Sequence, residues 1–166
     1  MLFCTFIMDI ANVLRWFIVI CILGIVGNPR VGGDTELLVA ETLKVAGREG
    51  AQTELLRLAD KEVEPCDACL SCRKTEECRI KDDFNPIFAK MVEADGIILG
   101  IPVYFGSATL QVKARIDREG YLSWAKDRVF ENKVCGALVV ARRARQNFRS
   151  PLCTFKERYE NSYNPC

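Results

Sequence analysis

The sequence predicts an α/β domain on a parallel sheet, and three observations point there. Apolar runs rich in β-branched residues alternate with stretches of helical period. The runs are apolar throughout rather than alternating, which marks strands buried on both faces. The loops that leave them carry glycine, proline and aromatic residues, the chemistry of ligand loops at the carboxyl edge of an open sheet. With 166 residues, 49% hydrophobic and 27% charged, the chain has the length and composition of one globular domain.

The first strand is expected at residues 17–26, the run Phe-Ile-Val-Ile-Cys-Ile-Leu-Gly-Ile-Val. A turn of residues 27–34 follows, then a helix over about residues 35–49 with Val39, Leu43 and Ala46 on one face and Gly50 past its end. Residues 52–58 read as the second strand, and a cysteine-rich segment comes next. Residues 83–93 read as a helix capped by Asp83, with Ile87, Phe88 and Met91 inward. Adjacent Asp82 and Asp83 diverge, so the cap is a better account of Asp83 than a catalytic pair. Residues 96–101 form the third strand, and the loop 102–107 enters a helix carrying Leu110, Val112, Ala114 and Ile116. Residues 134–140 form the fourth strand. Beyond them the period dissolves into a tail crowded with Arg142, Arg143, Arg145, Arg149, Lys156 and Arg158.

The expected organisation is an N-terminal extension (residues 1–16), a central domain (17–141) with a cysteine insert at 64–80, and an atypical basic tail (142–166). Asp9, Asn12 and Arg15 interrupt the apolar N-terminus, and its longest uncharged piece, residues 16–27, is short for a bilayer span of roughly 20 residues. Neither a membrane span nor a signal peptide is expected, and Met8 competes with Met1 as the start. A net charge of +1 gives no field for nucleic acid.

The chain has no histidine, which excludes a Ser-His-Asp triad, a Cys-His pair and any His-ligated zinc site. It has nine cysteines. Cys66, Cys69, Cys72 and Cys78 follow the pattern Cys-x2-Cys-x2-Cys-x5-Cys. Such tight spacing suits a cubane [4Fe–4S] cluster held by four thiolates. Structural zinc usually takes two separated Cys-x2-Cys knuckles; zinc, a redox-active thiol pair and cysteines with no joint role are the alternatives. A reducing cytoplasm fits this usage better than an oxidising compartment. Cys21 and Cys135 fall in strands and read as small core residues.

Two loops are candidates for a cofactor. The first opens a helix, so its amides and the positive end of the helix dipole form a seat for a phosphate, with Asn28, Arg30 and Thr35 beside it. Gly32 is followed by Gly33 and Asp34 instead of lysine and a hydroxyl residue, so a triphosphate-hydrolysing loop is not formed. The dinucleotide glycine pattern is missing too, and a terminal monophosphate remains. The second loop offers Tyr104 and Phe105 between Pro102 and Gly106, a flat surface for a planar ring.

Together the stretches Gly27-Asn-Pro-Arg-Val-Gly-Gly-Asp-Thr35, the cysteine motif with Ile80-Lys-Asp-Asp83, Ala94-Asp-Gly-Ile-Ile98, Pro102-Val-Tyr-Phe-Gly-Ser107 and Lys113-Ala-Arg-Ile-Asp-Arg118 resemble the iron–sulfur flavoproteins. These are a branch of the NAD(P)H-dependent FMN reductase family. The resemblance runs from about Ile22 to Val140. It implies a flavodoxin-like, three-layer fold with sheet order 2-1-3-4, the family's fifth strand being missing or altered here. It implies FMN with its phosphate at Asn28, Arg30, Asp34 and Thr35 and its isoalloxazine against Pro102, Val103, Tyr104, Phe105 and Gly106. It implies a [4Fe–4S] cluster on the four cysteines and an oxidoreductase passing electrons between FMN, cluster and a carrier. NAD(P)H enters as a substrate on the resemblance alone. The donor or acceptor is an electron-carrier protein or small molecule, and the family forms homo-oligomers.

Two rival functions are a cluster-free FMN or quinone reductase and a non-catalytic zinc-binding or interaction module on a degenerate flavodoxin scaffold. Asn28 and Asp34 stand where the family usually has serine and asparagine, so Arg30 is needed to neutralise a carboxylate facing phosphate. Residues 145–166 do not read as the flavin loop, fifth strand and last helix that the resemblance leads one to expect, as a truncated or frame-shifted reading would produce. A sheet ending at the fourth strand would leave that strand an exposed edge.

Overall fold

The computed structural model describes residues 19–141; the expected N-terminal extension, the basic tail and any fifth strand in it lie outside the described residues. In chain order the elements are β1 (Cys21–Val26), α1 (Asp34–Arg48), β2 (Gln52–Arg57), a 3-10 turn (Leu58–Asp60), α2 (Cys72–Thr75), α3 (Phe84–Glu93), β3 (Gly96–Tyr104), β4 (Ser107–Ala108), α4 (Leu110–Ala125) and β5 (Val134–Val140). The sheet runs β2-β1-β3-β5, all parallel, with Gly24 opposite Leu55 and Ile98, and Leu99 opposite Ala137. This is the expected order of the four strands. The added element is β4, which pairs antiparallel with the end of β3.

Alternation along the central strands divides the core between two faces. Leu23 and Ile25 of β1, with Ile97, Leu99 and Ile101 of β3, pack with Phe84, Ile87, Phe88 and Met91 of α3 and Val112, Ile116 and Leu122 of α4. On the other face Val26, Ile22, Leu55, Ile98 and Leu138 meet Val39 and Leu43 of α1. The result is three layers. Gly24 and Gly100 lie under α1, where a Cβ would come within 2.7 Å of Leu43 and 2.6 Å of Val39 respectively. Their missing side chains let the helix lie close to the sheet.

α1 ends as its sequence indicates. Gly50 takes φ of +93°, the amide of Ala51 donates to the Ala46 carbonyl at 3.1 Å, and that of Gly50 donates to Gly47 at 3.1 Å, the Schellman closure.

Three expectations are corrected. β1 starts at Cys21 rather than at residue 17; Val19 and Ile20 precede it and are exposed. The partner strands begin at Gln52 and Gly96, and the rung at this end is the Gln52 amide donating to the Ile20 carbonyl at 2.8 Å. β3 runs three residues past its expected end, through Pro102 to Tyr104, because the hairpin into β4 continues it. Asp83 occupies the position before α3, and its carbonyl accepts the Ile87 amide at 3.2 Å, but its side chain makes no capping bond. Its carboxylate accepts the Glu62 amide at 2.9 Å, while Asp82 accepts the Phe84 amide at 3.1 Å. Cys21 and Cys135 are half-buried; among the described cysteines Cys72 is the buried one.

Candidate functional site

The first loop leaves β1 at Gly27, whose amide donates to the Gly100 carbonyl at 2.9 Å. A Cβ there would stand 2.1 Å from Val112 Cγ2, so only glycine lets β1, β3 and α4 meet. Thr109, buried at the start of α4, donates its hydroxyl to the Gly27 carbonyl at 2.7 Å. The two candidate loops are thus joined at their roots.

Asn28 is buried, with its side-chain amide donating to the Arg30 carbonyl and its Oδ1 left without a partner. Thr35 is buried, and Arg30 and Asp34 are exposed. Gly33 precedes α1 with no side-chain cap. Among the described residues the amides of Gly33, Asp34 and Thr35 have no acceptor, and they form the positive end of the helix dipole. The Gly32 amide is different. Glu36 Oε2 accepts it at 2.7 Å, and Glu36 Oε1 accepts Arg57 Nε at 2.7 Å. The Gly32 amide beside buried Glu36 lowers its carboxyl below the ordinary value, against the opposing effect of burial, and Arg57 lowers it further. Glu36, Arg57 and Thr109 were not among the site residues read from the sequence. An acidic residue in a helix's first turn was the visible signal for Glu36; the other two required the fold.

The second loop is a hairpin turn. Phe105 and Gly106 take φ of +49° and +82° between the paired residues Tyr104 and Ser107, a type I′ turn. Pro102 is buried, Val103 half-buried, and Tyr104 exposed, while the Phe105 ring lies wholly in solvent. A left-handed φ at a bulky residue costs of the order of 1–2 kcal/mol.

Cys66, Cys69, Cys72 and Cys78 line one depression together with Leu70, Arg118, Tyr121 and Leu122. All four thiols are free. Ala68 and Leu70, between the first three cysteines, have φ of +55° and +58°, so the backbone reverses hand twice in passing from Cys66 to Cys72. Burial pushes the Cys72 thiol up, and the neighbouring Cys78, Cys69 and Cys66 sulfurs add to it. Among the described residues no three His, Cys, Asp or Glu side chains gather closely enough to hold one metal ion.

Polar side chains hold this segment from beneath. Arg118 is buried, with one amine donating to Asp82 Oδ2 and, at 3.1 Å, to the Glu64 carbonyl. The other donates to Asp82 Oδ1 at 2.9 Å and to Cys78 Sγ at 3.2 Å. Its guanidinium lies 4.2 Å over the Phe84 ring. Burial raises the Asp82 carboxyl, but the Arg118 hydrogen bond and the Glu64 and Phe84 amides outweigh it and leave it lowered. Asn85 clasps the backbone of Cys78, accepting its amide at 3.2 Å and donating to its carbonyl at 2.9 Å. At the outer side Asp67 accepts the Cys69 amide at 3.2 Å and pairs with Arg79. Arg79 first, then Cys69, brings the Asp67 carboxyl down to about 2.

Residues 20–151 match the NADPH-dependent FMN reductase family. An iron–sulfur flavoprotein of Methanocaldococcus jannaschii is 47% identical over 119 residues, covering 72% of this chain and 61% of its own length. An iron–sulfur flavoprotein of Methanosarcina thermophila is 42% identical over 119 residues, covering 72% and 62%. The chain therefore spans about three-fifths of the length of these relatives. Among solved structures, RosB with a bound 8-demethyl-8-formylriboflavin-5′-phosphate intermediate superposes with a TM-score of 0.63 at 18% identity, over 87% of this chain and 61% of that one. The apo form of the NADH:FMN oxidoreductase EMOB gives 0.54 at 20% identity, over 76% and 60%. These two establish the flavodoxin-like fold. No helix among the described residues is long and apolar enough to cross a membrane. The strand order, the loops at the carboxyl edge and the aligned relatives converge: the chain belongs to the NADPH-dependent FMN reductase family, in its iron–sulfur flavoprotein branch.

Proposed function

We propose that this chain carries electrons between FMN at the carboxyl edge of its sheet and a [4Fe–4S] cluster on Cys66, Cys69, Cys72 and Cys78. The observation that carries the reading is the gathering of four free thiols around one depression. Four thiols at the spacing Cys-x2-Cys-x2-Cys-x5-Cys around one depression suit a cluster held by four thiolates better than the two separated knuckles of a structural zinc site. The buried, unpartnered Oδ1 of Asn28 fits a ligand hydroxyl at the first loop. The amides of Gly33, Asp34 and Thr35 fit a phosphate.

In this reading Asn28, Arg30, Asp34 and Thr35 hold the phosphate end, and residues 102–106 present the ring surface. Arg30 offsets the carboxylate of Asp34. Glu36 withdraws the Gly32 amide from the ligand and fixes the loop. When bound, FMN exchanges an electron pair with its donor and single electrons with the cluster. The protein's part is to orient the two groups and set their electrostatics. A nicotinamide nucleotide is the proposed donor, an electron-carrier protein or small molecule the acceptor, a homo-oligomer the assembly, and the cytoplasm the compartment.

An absorption spectrum of anaerobically purified protein, with iron, sulfide, zinc and flavin assayed on the same sample, tests this. Flavin bands over a broad iron–sulfur shoulder, bleached by dithionite, are expected. Flavin without iron would replace the reading with a cluster-free FMN or quinone reductase. A colourless protein with one zinc per chain would replace it with a non-catalytic module.

A further inference from the structure

We propose that Arg118 tunes the reduction potential of the cluster through the sulfur of Cys78, an inference that rests on the cluster reading above. The four cysteines are not held alike. Cys78 alone among them has its backbone clasped on both sides by one side chain, Asn85, and its sulfur addressed by a buried cation. Arg118 has 1% of its side chain exposed, so water does not screen it as it screens an exposed cation.

The guanidinium is fixed on several sides. Its two amines reach both oxygens of Asp82, one of them the Glu64 carbonyl, and its flat face lies over Phe84. With those bonds made, one N–H of Nη2 is directed at Cys78 Sγ, 3.2 Å away. A lysine cannot reproduce this, since its point charge has no planar fork to serve a carboxylate and a thiolate together. Arg79 offers the contrast. It stands at the outer side of the loop, 61% exposed and paired with Asp67, where solvent weakens its field on Cys69.

Reduction adds one electron, hence one negative charge, to a centre already ligated by four thiolates. A charged donor to one of those sulfurs stabilises the reduced form more than the oxidised form and moves the potential upward. Arg118 is a positioning and tuning residue in this account. It touches the ligand sulfur and takes no part in bond making.

The test compares the full-length protein with Arg118→Met and Arg118→Lys, purified anaerobically and assayed for iron, sulfide and flavin. The cluster midpoint potential is followed by electron paramagnetic resonance in a mediated titration, and thermal unfolding is recorded in parallel. Both variants are expected to retain flavin and to hold the cluster at a lower potential. The expected change is about tenfold in the one-electron equilibrium, or about 59 mV. Arg118→Lys, which keeps a charge for Asp82, carries the test if Arg118→Met does not fold. Variants that hold four irons at the wild-type potential would overturn the proposal. So would loss of the cluster in both with flavin kept, which would make the arginine purely structural. Absence of iron from the wild-type protein is a separate result, and it would remove the cluster reading itself.

Discussion

The first loop and the cysteine segment are both candidate cofactor seats, yet they are built on different principles. The loop after β1 is positioned by the sheet. Its root is fixed by a ladder-like bond from Gly27 to Gly100 and by Thr109, and α1 begins where it ends. The cysteine segment has one four-residue helix and little else that is regular. Its position comes from side chains, with Asp82, Asp83 and Asn85 tying residues 62, 64 and 78 to the start of α3 and Arg118 reaching up from α4. Backbone-built sites tolerate side-chain changes except where packing forbids a Cβ. Sites built by side chains fail one residue at a time.

The largest expected effect separates the two seats outright. Cys78→Ser should abolish iron and sulfide retention while leaving flavin content near that of the wild type, as read from the same anaerobic sample. Serine keeps the backbone clasp of Asn85 and removes only the thiolate. Parallel loss of flavin would show that the seats depend on each other and would break the contrast.

Next comes the network itself. Asp82→Ala would leave Arg118 buried without its carboxylate, which costs about 3–5 kcal/mol for a buried pair broken on one side. A denaturant titration of the variant against the wild type should show the midpoint fall with little change in slope. A loss below about 1 kcal/mol, the size of an exposed pair, would show that this network is solvated.

The sheet-built seat has its own weak point at Gly27. Gly27→Ala places a methyl 2.1 Å from Val112 Cγ2 and 2.9 Å from the Gly100 carbonyl. Overpacking of this kind typically costs about 1–3 kcal/mol, and the backbone carbonyl cannot move aside as a side chain can. Thermal unfolding measures the cost, and flavin affinity should fall with it. Unchanged flavin binding in a destabilised variant would detach the loop's geometry from its root.

What the sequence made legible follows the same division. The strands, their order and the three layers were readable because apolar period and loop chemistry are local signals. The four cysteines were readable because their spacing is. The short β4 was hidden, since two residues carry no period, although Phe105-Gly106 is the turn that creates it. Arg118 and Asp82 were hidden as a pair because 36 residues separate them, and nothing in either neighbourhood marks the other. The misjudged cap at Asp83 has the same cause. An aspartate before a helix has a local use, but the Glu62 amide, brought by the chain's return, claimed it.

The smallest effect tests whether a side-chain device also stiffens the backbone-built seat. Glu36 is held below its ordinary value by the Gly32 amide and then by Arg57. A carboxyl lowered on folding stabilises the protein fully above its unfolded-state value, about 4.5, and loses that contribution as pH falls through the lower folded value. Unfolding of Glu36→Gln compared with the wild type should therefore differ by a constant amount near neutral pH. The difference should shrink as the solution is acidified below about 4.5, where the carboxylate of the unfolded chain takes up its proton before that of the folded protein does. Arg57 is 37% exposed, so added salt should reduce the part of the difference that comes from the ion pair and leave the Gly32 bond. A difference independent of pH would mean that Glu36 supports the loop through packing and not through charge.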